Sequence, residues 1–319
     1  MGIRVAGDTR PSITVANISS AEKAAMLRAA IAWVAALGRD LSHTRFGHYL
    51  AELEDYAQRL ADGRTPDNSP LFYAASADGY VLSHAYQQLR GRYDQYVANR
   101  IGRACRGTDT VGDEDGANSE GRNFCFELSL ASWLVSCGLA LNCNDPADIA
   151  GEIAGHYLIL ECKRVRSDKK VEMRGKEAIA VLSERLANPD HENMVGAVAF
   201  DFTPIVNPAG EVLRRPHLDA RALFEVGVQL ARKFAASHAR HWRAWGHPGV
   251  VAVFNRVQVS GADTAAPKEA TLQQFTMQAM HRLADANSPH WPFLQEIARV
   301  SAEQGTALLS ANQEARTRL

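Results

Sequence analysis

The sequence predicts an α/β protein in which a mixed sheet is flanked by helices, with a helical region before it and a helical tail after it. Before about residue 105, apolar residues recur at every third or fourth position, which is typical of helices. After residue 121, short apolar runs alternate with helical segments, in the order helix, strand, strand, helix, strand, helix, strand. This alternation indicates an α/β sandwich.

The composition narrows the class of protein. The chain has 319 residues, is 46% hydrophobic and 22% charged, and carries 35 Lys and Arg against 36 Asp and Glu. These values exclude a disordered chain, a disulfide-stapled miniprotein and a protein that holds nucleic acid by bulk positive charge alone. Any nucleic-acid partner must therefore meet a local basic surface. The five cysteines form no CxxC pair, which favours a reducing compartment and disfavours a cysteine-rich zinc site.

The N-terminal region shows no targeting or membrane-spanning segment. Residues 1–10 include three charged side chains and lack the apolar stretch of a signal peptide. The longest apolar stretch, Ala24 to Leu37, is interrupted by Arg28 and is too short to cross a bilayer. We expect a cytoplasmic protein with no membrane partner.

Four regions are predicted along the chain. Residues 1–105 form a helical region with apolar stripes such as Leu27, Ile31, Val34 and Leu37. Residues 106–121 are rich in glycine and acidic residues and are interpreted as an exposed linker or mobile loop. Residues 122–260 form the α/β core. Residues 261–319 form a helical tail, with helices predicted over Lys268–Ala286 and Trp291–Leu309.

Within the core, the central prediction is a β-hairpin. Its strands run over Asp148–Ile153 and Tyr157–Arg164, joined by a tight turn through Gly155. The other predicted elements are helices over Phe124–Gly138, Arg174–Leu186 and Asp219–Trp245, and strands over Met194–Val206 and Val250–Val259.

The hairpin carries the residues with chemical potential. Alternate side chains of a strand point to opposite faces, so Glu161 and Lys163 share a face from which Cys162 is turned away. Asp148 opens the neighbouring strand, within reach of the same strand end. Two carboxylates suit Mg²⁺, which polarises a scissile phosphate and lowers the pKa of bound water. Beside them, Lys163 is placed to orient the attacking water or to stabilise charge in the transition state.

This run resembles the PD-(D/E)xK nuclease superfamily, which has the restriction-endonuclease-like fold. The matching residues are Asp148 in DIAGEI and Glu161-Cys162-Lys163 in LILECKR, and the resemblance covers residues 121–259. It implies that Asp148 and Glu161 bind Mg²⁺ (or Mn²⁺), assisted by the backbone carbonyl of Cys162, and that Lys163 is the catalytic ammonium. It also implies a metal-binding role for Glu127 on the preceding helix, a position that equally suits an ordinary surface carboxylate.

The resemblance implies metal-dependent hydrolysis of phosphodiester bonds in nucleic acid. DNA is favoured over RNA because the superfamily mostly cleaves DNA, and a partner subunit or a homodimer is compatible with it. The choice between endonuclease and exonuclease stays open. The alternative is a non-catalytic module that keeps the fold and binds nucleic acid or a protein partner.

A basic segment follows the motif. From Lys163 to Lys176 there are seven basic and two acidic residues in a nearly neutral chain. A solvated surface would explain such a run, but its position beside the motif favours contact with phosphates. The predicted nucleic-acid-binding residues are Arg164, Arg166, Lys169, Lys170, Arg174 and Lys176.

Three further assignments accompany this hypothesis. Asp145, which precedes a proline, is an alternative metal ligand, although an aspartate there more often caps a turn. Cys162 is expected to be a buried packing thiol. His238, His241 and His247 lack the additional ligands of a zinc site, and a plain or partner-binding helix surface is preferred for them.

Overall fold

In a computed structural model, the described residues are 12–16, 19–64, 69–115, 119–263, 273–284 and 287–300. The helices are α1 (Ser20–Ala36), α2 (Arg45–Ala61), α3 (Pro70–Leu89), α4 (Asp94–Ala104), α5 (Glu120–Ser136), α6 (Asp168–Ala187), α7 (Thr203–Val206), α8 (Ala220–Ala244) and α9 (291–300). The strands are β1 (Ser12–Ala16), β2 (Ala140–Leu141), β3 (Ile149–Ile153), β4 (His156–Arg164), β5 (Met194–Asp201), β6 (Leu213–Arg215), β7 (Val250–Asp263) and β8 (Gln273–Arg282).

The described residues from 19 to 105 are mainly helical, as predicted, but residues 12–16 of the same predicted region form strand β1, because they pair with β8. Helices α1, α2 and α3 begin at residues whose side chains cap them. The Ser19 hydroxyl accepts a hydrogen bond from the Glu22 amide, and the Glu22 carboxylate accepts one from the Ser19 amide, which forms a capping box. The Thr44 hydroxyl accepts a hydrogen bond from the Phe46 amide and the Ser69 hydroxyl accepts one from the Phe72 amide, which caps α2 and α3. Aromatic residues at helical spacing on α2 and α3 are buried, among them Phe46, Tyr49 and Phe72.

The strands form one mixed sheet in the order β1-β8-β7-β5-β4-β3-β2, with β6 paired to β7. The three central strands, β4, β5 and β7, are parallel, and the outer pairs β3–β4 and β7–β8 are antiparallel. Helix α6 connects β4 to β5 and helix α8 precedes β7, as parallel neighbours require long connections. The carboxyl ends of three central strands therefore meet at one edge of the sheet, where sites form in such folds.

The predicted hairpin is confirmed. Strands β3 and β4 pair from Ile149↔Leu160 to Ile153↔His156. The two turn residues, Ala154 and Gly155, have φ of 49° and 75°. Two successive positive φ angles are the condition of a type I′ turn, whose twist matches that of the strands.

Hydrophobic side chains form a cluster on each face of the sheet. The first cluster joins the N-terminal helices and α5 to one face of β4, represented by Leu158 and Leu160. The second joins α6 and α8 to the other face, represented by Tyr157 and Ile159. The helical region thus shares a core with the sheet. Part of the predicted exposed linker is also buried, because Glu114 is 5% exposed and pairs with Arg164 of β4.

The prediction for the tail is wrong in its first half. Residues 273–282 form strand β8, not a helix, because β7 and β1 both pair with this segment. The second predicted helix is confirmed over 291–300, and residues 301–309 lie outside the described residues. No helix of the described part of the chain has the length and apolar character to span a membrane.

Candidate metal-binding and catalytic site

The hairpin register brings the three motif residues together. Ile149 pairs with Leu160, so the next position of the ladder places Asp148 opposite Glu161. The Cys162 amide donates a hydrogen bond to Asp148 Oδ2 at 2.7 Å, and Lys163 Nζ donates to Glu161 Oε2 at 3.0 Å. Asp148, Glu161 and Lys163 therefore lie at the same end of the hairpin, and Glu161 and Lys163 share a face as alternation predicts.

Helix α4 fixes the backbone of Asp148. The Tyr96 hydroxyl donates to the Asp148 carbonyl at 2.9 Å, and Arg100 Nη2 donates to the same oxygen at 2.8 Å. Arg100 also lies over the Tyr96 ring, 3.7 Å from its centroid. Sequence analysis missed both residues, since their helical spacing shows only that they are neighbours on α4, not what α4 packs against.

Glu127 reaches the site from α5, which belongs to the first core cluster. It is 7% exposed, and Arg100 Nε lies 3.3 Å from its Oε2. Burial raises the pKa of Glu127 to about 8; the Asp148 carboxylate adds to the rise and Arg100 opposes it. Glu127 therefore keeps its proton near neutral pH, and additional positive charge beside it would lower its pKa.

Glu161 and Lys163 influence each other. Burial raises the pKa of Glu161, Asp148 adds to this, and Lys163 partly offsets it. Burial alone would lower the pKa of Lys163, but the Glu161 carboxylate outweighs it and the net shift is upward. Lys163 is consequently an ammonium at neutral pH, which donates hydrogen bonds and stabilises negative charge but does not accept a proton.

The carboxyl groups at this site are chemically suited to a hard divalent cation, but among the described residues they do not form a ready coordination sphere. Three carboxyl groups, of Glu127, Asp148 and Glu161, lie near two cations, Arg100 and Lys163. While Glu127 keeps its proton no negative charge is in excess, and its ionisation adds one. Carboxylate oxygens are the ligands that Mg²⁺ prefers. Within the part of the chain that the structure describes, no group of three or more His, Cys, Asp or Glu side chains is arranged to hold a metal ion.

Asp145, the alternative ligand, has its oxygens occupied. Arg185 binds it in a bidentate pair, with distances of 2.6 and 2.9 Å, and the Tyr157 hydroxyl donates to Oδ2 at 2.8 Å. The Ala147 amide donates to Oδ1, as in the turn that an aspartate before proline favours. Asp145 thus connects α6 to the hairpin. The hydrogen bond described above for the Asp148 carboxylate comes from the Cys162 amide.

The basic segment divides into buried and exposed residues. The Arg164 side chain is 5% exposed and pairs with Glu114 and Asp201, so it does not belong to a nucleic-acid-binding surface. Arg166 is exposed, but its guanidinium donates to the Glu114 carbonyl. The remaining predicted residues are exposed on α6: Lys169, Lys170, Arg174 and Lys176. Glu177 and Glu172 pair with the last two, at 2.8 and 2.6 Å.

Cys162, His238 and His241 make contacts that are typical of structural residues. Cys162 packs against the first core cluster, away from Glu161, and burial raises the pKa of its thiol well above the usual value. His238 lies 3.1 Å from Asp168, and His241 lies 3.4 Å from Glu172, so both connect α8 to α6.

Comparisons with protein-family models, with curated proteins and with solved structures give no match.

Proposed function

We propose that the protein is a metal-dependent nuclease that hydrolyses phosphodiester bonds, with DNA as the favoured polymer. The observation that carries the proposal is the pairing of Asp148 opposite Glu161, with Lys163 Nζ 3.0 Å from Glu161, at the carboxyl end of β4. The succession of α5, the β3–β4 hairpin, α6 and the parallel strand β5 supports a restriction-endonuclease-like core.

The proposed roles follow from the donor set. Asp148, Glu161 and the backbone carbonyl of Cys162, with Glu127, would hold Mg²⁺ (or Mn²⁺). When bound, the ion polarises the scissile phosphate and lowers the pKa of a bound water. Lys163, kept as an ammonium by Glu161, donates to the attacking water or to a phosphate oxygen and stabilises the charge that develops there. Arg100 is a positioning residue, since it joins Glu127 to the backbone of Asp148.

The test is cleavage of plasmid, linear duplex, single-stranded DNA and RNA in the presence of Mg²⁺ or Mn²⁺. We expect Glu161→Gln and Lys163→Met to lower the cleavage rate by about 100-fold or more, as losing a metal ligand or a charge-stabilising donor does. The matched controls are Glu152→Gln and Lys233→Met, which change exposed side chains of the same type on β3 and α8. Cleavage that survives both site variants would contradict the assignment.

One observation favours the alternative, a non-catalytic nucleic-acid-binding or partner-binding module. Arg100 and Lys163 already pair with Glu127 and Glu161, and the described residues form no three-ligand group. Calorimetric titration with Mn²⁺ separates the two hypotheses. The nuclease proposal expects saturable binding that Glu161→Gln abolishes and Glu152→Gln preserves; absence of binding in the wild type supports the module.

A further inference from the structure

A second polar site lies on the other face of β4. Because Arg164 follows Lys163, its side chain projects toward the N-terminal helices, where it lines a cavity. The cavity has a volume of about 50 Å³. One water needs roughly 10–15 Å³ on this measure, so the space suits a group of several heavy atoms. The charged residues in its wall are Asp78, Arg122, Arg164, Asp201 and Arg256.

The charges buried at and around this cavity do not balance. Among the described residues, four guanidinium groups with side chains at most 5% exposed meet three carboxylates with side chains at most 9% exposed. These are Arg45, Arg122, Arg164 and Arg256 against Asp78, Glu114 and Asp201. Arginine does not lose its proton in proteins, so a positive charge remains in excess. A buried unpaired charge is costly, and a bound anion would neutralise it.

Arg256 lines the cavity, and its guanidinium group is not fully hydrogen-bonded by the described residues. Its residue is 4% exposed, and its Nη1 lies 3.3 Å from Asp201 Oδ2. Its Nε is buried and has no hydrogen-bond partner within the described ranges. The Phe126 ring lies 5.6 Å from the guanidinium carbon and holds the group in place.

The neighbouring groups are held rigidly by protein contacts. Arg122 Nε donates to Asp78 Oδ2 at 3.1 Å, and its Nη2 donates to the Tyr49 hydroxyl and the Asp109 carbonyl. Burial would raise the pKa of Asp78, but the surrounding guanidinium groups, Arg122 foremost, lower it. Asp78 thus remains a carboxylate, and the wall of the cavity offers hydrogen-bond acceptors as well as donors.

We propose that this cavity binds a hydrogen-phosphate group. Guanidinium groups recognise phosphate oxygens with paired N–H donors. Hydrogen phosphate also keeps a hydroxyl at neutral pH, which donates to a carboxylate such as Asp78 or Asp201. Sulfate has no such hydroxyl and leaves that carboxylate facing an oxyanion. The mixed wall therefore selects phosphate over sulfate.

The first measurement is calorimetric titration of the full chain with inorganic phosphate and with sulfate, at constant ionic strength and without divalent metal. We expect saturable binding of phosphate and about tenfold weaker binding of sulfate, the cost of a carboxylate left without its donor. Equal affinities, or no saturable binding of phosphate at millimolar concentration, would overturn the proposal.

Variants locate the binding. Arg256→Gln should abolish it, but this residue is buried and the variant can lose stability. Ala209 is exposed at the rim of the cavity, so Ala209→Glu and Ala209→Lys change the local charge and leave the core intact. We expect Ala209→Glu to weaken phosphate binding about fivefold and Ala209→Lys to preserve it. Equal affinities in these two variants would refute binding in this cavity.

The source of the group is decided by competition. The competition is measured at pH 6, where about half of a phosphate monoester keeps the hydroxyl on which the selectivity depends. If a 5′-phosphorylated oligonucleotide displaces inorganic phosphate and its unphosphorylated form does not, the ligand is the end of a nucleic acid; otherwise it is free phosphate. This inference does not depend on the proposed nuclease activity. Phosphate binding is expected to persist in Glu161→Gln, so failure of either proposal leaves the other testable.

Discussion

Two clusters of charged residues lie near the carboxyl end of strand β4 and differ in their balance of charge. In the first, the carboxyl groups of Glu127, Asp148 and Glu161 lie near two cations, Arg100 and Lys163. In the second, the guanidinium groups around Arg164 outnumber the carboxylates. Burial raises the pKa of Glu127 to about 8, whereas the surrounding guanidinium groups lower the pKa of Asp78 although it is buried too.

The difference shows that burial alone does not set the state of a carboxyl group. Desolvation raises the pKa of any buried carboxyl, and the neighbouring charges decide whether the net shift is upward or downward. At the carboxylate site burial outweighs the nearby cations Arg100 and Lys163, so the pKa values of Glu127 and Glu161 are raised. The arginine-rich cavity has the charge of a site that lacks an anion.

The largest expected effect is a loss in the free energy of unfolding when the buried arginine cluster around Asp78 is disturbed. Asp78→Asn removes the carboxylate that faces Arg45 and Arg122 and leaves buried cations uncompensated. We expect the free energy of unfolding to fall by about 3–5 kcal/mol, measured by urea denaturation. Asp55→Asn, which breaks an exposed pair with Arg59, is the control and should change stability little. Equal effects in the two variants would contradict the cluster's structural role.

Glu127 should make the free energy of unfolding fall as pH rises, whereas a carboxylate stabilised by an ion pair makes it rise. Between pH 4.5 and about 8, the folded state keeps a proton on Glu127 that the unfolded chain releases, so stability falls as pH rises through this window. Glu127→Gln removes this dependence. We expect it to be more stable than the wild type at pH 8 by on the order of 1–3 kcal/mol and similar to it at pH 4.5.

Urea denaturation across this pH range provides the measurement, with Glu152→Gln, an exposed glutamate of β3, as the control. If Glu127→Gln and the wild type show parallel stability profiles, the raised pKa of Glu127 is refuted.

Substitution of Asp145 should lower stability, whereas substitution of Asp148 should lower activity. Asp145→Asn weakens the bidentate pair with Arg185 and should cost about 2 kcal/mol of stability while cleavage continues. Asp148→Asn keeps an oxygen that accepts from the Cys162 amide, so it should remain folded and lose metal-dependent cleavage. Parallel urea and cleavage measurements on both variants check this, and the reverse result would make Asp145 the ligand.

The smallest effects belong to the exposed lysines of α6. Lys169→Met and Lys170→Met should each weaken binding to duplex DNA a few-fold and reduce the slope of log affinity against log salt by about 1. Fluorescence anisotropy at several salt concentrations measures both quantities. Lys233→Met, an exposed lysine on α8, is the control. An unchanged slope in the α6 variants would remove this helix from the proposed interface.

Local chemistry made much of the fold predictable. The helical stripes of residues 19–103 and the hairpin through Ala154 and Gly155 follow from periodicity and turn geometry within a few residues. The shared face of Glu161 and Lys163 follows from strand alternation alone. Strand β8 was not predictable in this way, because its backbone hydrogen bonds come from β7 and from β1, which is more than 250 residues earlier in the chain.

The burial and the partners of the charged residues were likewise not predictable from the local sequence. Arg164 and Lys170 lie in one basic run, yet the first is buried beside Glu114 and Asp201 and the second is exposed on α6. Arg100 and Tyr96 approach Asp148 only because α4 packs against the start of β3.

The sequence by itself determined the hairpin, its turn and the faces on which the side chains of β4 project, since these depend on backbone geometry over a few residues. The tertiary structure decided which charged groups are buried and which ones they meet. Those outcomes depend on desolvation and on Coulomb interactions between residues that are distant in the chain, such as Asp78 with Arg122 and Glu114 with Arg164.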